Sequence, residues 1–167
     1  MDRKAVYSVI FSEDGKDVLL VQRRDLPVWV LPGGGLDECE TPEAGAVRET
    51  LEETGYIVTV KRQVAEYLPV NALTKKTYFF ECTVAGGAPK VNSEAKSIRF
   101  FPLEKLPPLP PPFEGWIADA RRNEKTVLVK KIEGVNYFVL IKLLLKHPIL
   151  VLRYFLTKLG IRFNDKR

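Results

Sequence analysis

The chain reads as an α/β protein, in which strand-like runs bracket a single well-delimited helix. Three observations predict this. Apolar and β-branched runs occupy residues 5–11, 18–22, 56–67 and 77–84. A helix between residues 41 and 55 carries signals at both ends. Clusters of turn residues separate these segments. At 167 residues there is room for one cored domain and an appendage.

Residues 5–11 and 18–22 form a hairpin across Ser12-Glu13-Asp14-Gly15-Lys16-Asp17. Arg3-Lys4 ahead of the first run resembles the start of a secretory leader, but the run is too short and lacks a small-residue cleavage site. Leu31-Pro32-Gly33-Gly34-Gly35 then offers backbone unencumbered by side chains, able to approach a phosphate or turn a carbonyl to a metal. Thr41 caps the central helix, Pro42 fits its first position, Glu43 suits its positive end and Gly55 stops it. Residues 56–67 and 77–84 follow as strands, Gly86-Gly87-Ala88-Pro89 as a turn, and 97–101 as a further strand-like run. The prolines between Lys105 and Pro112 read as a stiff connector into a last helix at 113–122, in preference to a polyproline ligand for a partner domain.

The central helix holds the chemistry. At about 100° per residue, Ala44, Val47, Thr50, Leu51 and Thr54 share an arc expected to pack on a sheet, while Glu49, Glu52 and Glu53 share the opposite arc with Gly45. Side chains at i, i+3 and i+4 are roughly 5–6 Å apart, so the three carboxylates repel, and no lysine follows to relieve them. A hard cation relieves them, because Mg²⁺ takes carboxylate oxygens and keeps water for the rest of its shell. An acidic helix face by itself is usually only solvated; the glycine run immediately ahead tips the balance toward a site.

Together the two halves resemble the Nudix hydrolase signature, G-x5-E-x7-R-E-U-x-E-E-x-G-U with U a bulky apolar residue. Gly34, Glu40, Arg48, Glu49, Glu52, Glu53 and Gly55 match its fixed positions. Thr50 departs from the usual aliphatic residue, with Leu51 beside it available to fill the core, and Cys39 stands where glycine is common. The resemblance spans about residues 5–122 and implies an α/β/α sandwich with a mixed sheet, so we divide the chain into a Nudix domain at 1–122 and a C-terminal extension at 123–167. It implies Mg²⁺, with Mn²⁺ as a substitute, bound by Glu52 and Glu53 and by a carbonyl of Gly33 or Gly34. Glu49 is implied as a further ligand or as the general base, Arg48 as the group that orients a neighbouring glutamate, and Glu40 as its partner in pinning the loop. Glu94, in Asn92-Ser93-Glu94-Ala95, is a second candidate base, against the reading of a solvated loop acid. The reaction implied is hydrolysis of a nucleoside diphosphate linked to another group, or of a nucleoside triphosphate, by water attacking phosphorus. Arg23, Arg24 and Tyr78 are candidates for contacting phosphate or base, as is Trp29 unless it lies in the core. The alternative function is a catalytically weak nucleotide-binding module anchored by its basic C-terminal tail.

Composition separates the two parts of the chain. Residues 1–133 hold 19 Lys and Arg against 20 Asp and Glu, whereas residues 134–167 hold 7 against 1. The net charge of +5 therefore belongs to the tail. Lys142, Lys146, Arg153 and Thr157 mark a polar stripe along an otherwise apolar stretch that Pro148 divides. These charges argue against a membrane-spanning helix. Two readings of 135–160 stay open: a helix lying in an anionic membrane surface, or one buried against the domain or a homodimer partner. His147 reads as a helix-end residue. Basic residues interleaved with aliphatics do not suggest a specific nucleic-acid partner. Cys39 and Cys82 form neither a disulfide framework nor a metal pattern, which fits a reducing, cytoplasmic compartment, with membrane association if the tail binds lipid.

Overall fold

The computed structural model describes residues 4–25, 28–136 and 138. The strands are β1 (Ala5–Ile10), β2 (Asp17–Arg23), β3 (Trp29–Val30), β4 (Gly33–Gly35), β5 (Tyr56–Leu68), β6 (Thr77–Gly87), β7 (Ala95–Pro102) and β8 (Leu128–Lys131). The helices are α1 (Pro42–Thr54) and α2 (Phe113–Arg121). The α/β class with a mixed sheet holds. A five-stranded sheet runs β4-β1-β6-β5-β8, with β1–β6 and β5–β8 parallel and the other pairs antiparallel. A separate antiparallel sheet runs β3-β2-β7.

Strand β1 organises the molecule because its two faces serve different helices. Side chains alternate along a strand, so Val6, Ser8 and Ile10 point to one side and Tyr7 and Val9 to the other. The first side packs with Ala46 of α1, Leu19, Val58, Phe80 and Cys82; the second joins Val64, Phe79, Phe113, Trp116 and Ile117. Each fully buried large apolar chain contributes about 1.5–3 kcal/mol relative to exposure.

Helix α1 begins and ends where its signals predict. Thr41 Oγ1 accepts the amide of Ala44 at 3.2 Å, and Gly55 adopts φ 77° while its amide reaches Leu51 O at 2.8 Å. Its buried face differs from the expected arc. Gly45, Ala46, Thr50, Glu53 and Thr54 are buried, whereas Leu51 is 46% exposed and Ala44 is exposed. Thr50 fills its own place in the core, donating from Oγ1 to Ser8 Oγ at 3.0 Å. The helix is rotated so that a carboxylate, Glu53, enters the buried side; that carboxylate finds the Gly33 amide there.

Three further differences have local causes. Gly86 and Gly87 continue β6 opposite Ile57 and Tyr56 rather than turning, and Gly87 at φ 77° leaves no room for a side chain against Gly55 O. The glycine run forms the short strand β4 against β1, a pairing that needs no side chains. Within residues 123–167, expected as a helical extension, Leu128–Lys131 is a strand on the sheet edge beside β5. Beyond it Val135 packs on the α2-side core, its carbonyl accepting from Asn71 Nδ2 at 2.8 Å. The expected tail helix, with its stripe, Pro148, His147 and the dimer or membrane readings, lies outside the described residues. Among the described residues, no helix is long and apolar enough to cross a membrane.

Candidate active site

The site is assembled by β4 meeting α1. Gly33, with φ 153°, brings its amide to Glu53 Oε2 at 2.9 Å, and a side chain on it would overlap Val6 O and Tyr7. At Gly34 a Cβ would run into the Glu49 carboxylate. Both glycines are therefore needed for close approach, one of backbone to strand and one of backbone to carboxylate.

Arg48 gathers the acids. Its Nε donates to Glu40 Oε1 and its Nη2 to Glu40 Oε2, both at 2.9 Å, in a two-pronged pair. Nη1 donates to Glu49 Oε1 at 3.0 Å and Glu52 Oε2 at 3.3 Å, and Nη2 also reaches Gly35 O at 3.0 Å. Glu40 in turn accepts the Asp37 amide at 3.2 Å. One guanidinium thus ties the loop, the glycine strand and two helix carboxylates. Its hydrogen bonds hold the Glu40 carboxyl below its ordinary range.

Burial sorts the three helix glutamates. The Glu52 side chain is 59% exposed and that of Glu49 is 14% exposed, while Glu53 as a residue is 7% exposed. Desolvation pushes Glu53 up from 4.5 to about 7, against the opposing pull of the Gly33 amide and the Arg23 charge. Burial raises Glu49 as well, with Arg48 opposing it. The charge of Glu94, on an exposed loop, raises both.

Among the described residues, no three acidic, cysteine or histidine side chains converge as they stand on a point that would hold a metal. Glu49 and Glu52 are drawn to one nitrogen of Arg48, and Glu53 is turned to Gly33. The donor set nevertheless suits a hard divalent ion. It supplies three carboxylates at i, i+3 and i+4 beside glycine carbonyls, with no side chain at Gly34 to block access. Glu52 is the most exposed of the three.

Of the residues predicted from sequence, Gly34, Arg48, Glu49, Glu52 and Glu53 come together, with Glu94 and Arg23 inside their electrostatic field. Arg23 also holds Asp25 through Nε at 2.9 Å and Nη2 at 2.6 Å. The Arg24 guanidinium donates to the carbonyls of Asn92 at 3.2 Å and Ala95 at 3.5 Å. Tyr78 is half-buried against the α1-side core, with the Lys76 ammonium 5.0 Å from its ring centroid. Trp29 packs edge-on to Phe101 at 4.7 Å, as part of the core. Sequence reasoning missed Tyr7 and Asn92. Tyr7 is half-buried beside the site, and desolvation together with Glu53 pushes its hydroxyl up to about 12. Asn92 was signalled only by the Asn-Ser-Glu turn pattern, in which an amide side chain bonds the backbone two residues on.

The chain is similar to known proteins in sequence and in fold. A putative 8-oxo-dGTP diphosphatase of Bacillus subtilis (strain 168) is 34% identical over 99 residues, covering 59% of this chain and 66% of that protein. The chain thus spans just under two thirds of that relative's length. An ADP-ribose pyrophosphatase of Methanocaldococcus jannaschii is 35% identical over 119 residues, covering 68% of this chain and 70% of that one. The crystal structure of an ADP-ribose pyrophosphatase from Streptococcus suis superposes with a TM-score of 0.64 at 28% identity, covering 78% of this chain and 99% of that chain. The family model for the NUDIX domain matches residues 1–122. On the strength of that match, and of a glycine strand and helix built as the signature requires, the chain belongs to the NUDIX domain family.

Proposed function

We propose that the protein is a Mg²⁺-dependent pyrophosphohydrolase, with Mn²⁺ able to substitute, that cleaves the diphosphate link of a nucleoside triphosphate or related nucleoside diphosphate derivative. The observation that carries this reading is the pair of shielded carboxylates, Glu49 and Glu53, held against the glycine strand by Arg48 and the Gly33 amide. The activities for which the relatives are named, diphosphatase on an oxidised nucleotide and pyrophosphatase on ADP-ribose, support the same substrate class.

In this reading Glu52 and Glu53 would hold the cation with the carbonyl of Gly34, and Glu49 is either a further ligand or the general base. A cation held there would withdraw charge from the diphosphate oxygens and ease attack on phosphorus. Arg48 keeps Glu49 and Glu52 oriented without touching substrate. Glu49 or Glu94 accepts the proton that the attacking water loses. Arg23, on the strand flanking the site, and Tyr78 serve the phosphate and base ends of the substrate.

The test is hydrolysis of a panel of nucleoside triphosphates, nucleotide sugars, ADP-ribose and dinucleotides, by wild type and Glu53→Gln, with and without Mg²⁺. At least one substrate is expected to be cleaved only by wild type with metal. The variant is expected to lose on the order of 10³-fold in kcat/KM, about 4 kcal/mol. Full activity of Glu53→Gln at saturating Mg²⁺ would remove the metal assignment.

A further inference from the structure

Asn92, in the loop at residues 92–95, lies 40 residues beyond Glu52 of α1, yet its side chain joins the two. Asn92 Oδ1 accepts the amides of Glu94 and Ala95, each at 2.7 Å, which closes the loop on itself. Asn92 Nδ2 donates to the carbonyl of Glu52, in the last turn of α1. That carbonyl is available because Tyr56, whose amide would ordinarily reach it, bonds Thr54 Oγ1 at 3.1 Å instead. Arg24 holds the loop from its other side. The Arg24 amide donates to Glu94 O at 2.8 Å, and its guanidinium donates to the carbonyls that flank Ser93-Glu94. The backbone on both sides of Glu94 is therefore fixed, while its carboxylate stays exposed within electrostatic reach of Glu49 and Glu53.

We propose that Asn92 is a positioning residue of the site: its amide group spans from the Glu52 carbonyl to the Glu94 amide and fixes the backbone that carries Glu94 relative to the last turn of α1. The role rests on the hydrolase reading above. Glu94 is then the group that takes the proton from water as the water oxygen bonds phosphorus and the bridging P–O bond breaks. A side chain serving only as a helix-end partner would contribute to stability and leave the chemistry of Glu94 untouched.

The two halves of the Asn92 amide can be separated. Asn92→Asp keeps an acceptor for the loop amides and removes the donor to Glu52, whereas Asn92→Ala removes both. The experiment measures kcat and KM in saturating Mg²⁺ for wild type, both Asn92 variants, Glu94→Gln and the Asn92→Ala/Glu94→Gln double variant. Amide exchange at residues 94 and 95 is followed alongside. Glu94→Gln and Asn92→Ala are each expected to lower kcat by on the order of 10²-fold with KM little changed. The double variant is expected to fall no further than Glu94→Gln alone, since the two act as one unit. Asn92→Asp is expected to lose kcat while exchange at 94 and 95 stays slow, which places the loss in the tie to α1. The role is overturned if the two effects multiply to roughly 10⁴-fold, if Asn92→Asp keeps the wild-type kcat, or if Glu94→Gln does. Those results leave the hydrolase reading standing when Glu53→Gln is inactive in the same assay. A protein that cleaves nothing, or cleaves equally well with Glu53→Gln, sinks both.

Discussion

The two helices lie on opposite faces of one sheet and are held there by different physics. Helix α2 sits on an aromatic stack: Tyr67 and Trp116 are parallel at 4.5 Å, and Tyr7, Phe79 and Phe113 surround Trp116 at 5.4–5.5 Å. Its buried acid, Asp119, is fully engaged by Tyr67 at 2.9 Å and Lys130 at 2.6 Å. Helix α1 covers Val6, Ile10 and Phe80, but it also buries Ser8, Thr50, Thr54 and Glu53. It is held by caps, by the Thr50–Ser8 bond and by Arg48 as much as by apolar contact. The comparison teaches that stability is concentrated on one face, which leaves the other able to carry a costly buried carboxylate.

Trp116→Ala should break this comparison most visibly. Removal of the central ring is expected to lower unfolding free energy by about 3–5 kcal/mol in urea denaturation, leaving the contacts around Arg48 in place. A loss below 1 kcal/mol, outside that range, would show that the aromatic face does not carry the stability. Next in size is the linkage at Glu53, read without added metal as the stability difference between wild type and Glu53→Gln. Its folded pKa of about 7 lies above the unfolded 4.5, so the folded state holds the proton more tightly. Stability from this group is full below pH 4.5 and is lost as pH rises through 7. Relative to wild type, the Gln variant should gain on the order of 3 kcal/mol between those limits. A pH-independent difference would place Glu53 in a solvated setting.

Gly34→Ala sharpens the comparison from the α1 side. The new methyl meets the Glu49 carboxylate, so a loss of about 1–3 kcal/mol from overpacking is expected, with activity falling further than stability. Wild-type activity in this variant would mean that Glu49 moves aside at no chemical cost. The smallest effect is expected at Leu51→Ala, within about 0.5 kcal/mol in the same denaturation assay, because the side chain is 46% exposed. A loss of several times that size would mean that Leu51 is covered in solution.

What was legible in the sequence follows a physical divide. Thr41, Pro42 and Gly55 act through bonds within a few residues, so the limits of α1 could be read directly. The carboxylate spacing and the glycines before it are local too, and the residues they single out lie together in the structure. The rotation of α1 was not legible. A helical wheel assigns Leu51 inward and Glu53 outward by polarity, while the actual choice depends on the Gly33 amide, 20 residues away, and on Ser8 beneath Thr50. Strand β8 eluded the reading because Leu-Val-Lys-Lys is too short and too charged to announce itself; its partner Ala65–Leu68 supplies the order. The role of Asn92 depends on a carbonyl at the end of another element, which no local pattern reports.

The parallel pairing of β1 with β6 sets a timetable for assembly. Ala5 lies opposite Thr77 and Ile10 opposite Cys82, so β1 waits for the central strand of the sheet, β6, a segment made long after it. Closing so long a loop costs entropy before any contact repays it, and it slows folding relative to local structure. Helix α1 rests on β1 and β5 together, and these two strands are joined only through β6. A chain emerging from the ribosome as far as residue 76 therefore holds every residue of the signature and has no floor on which to arrange them.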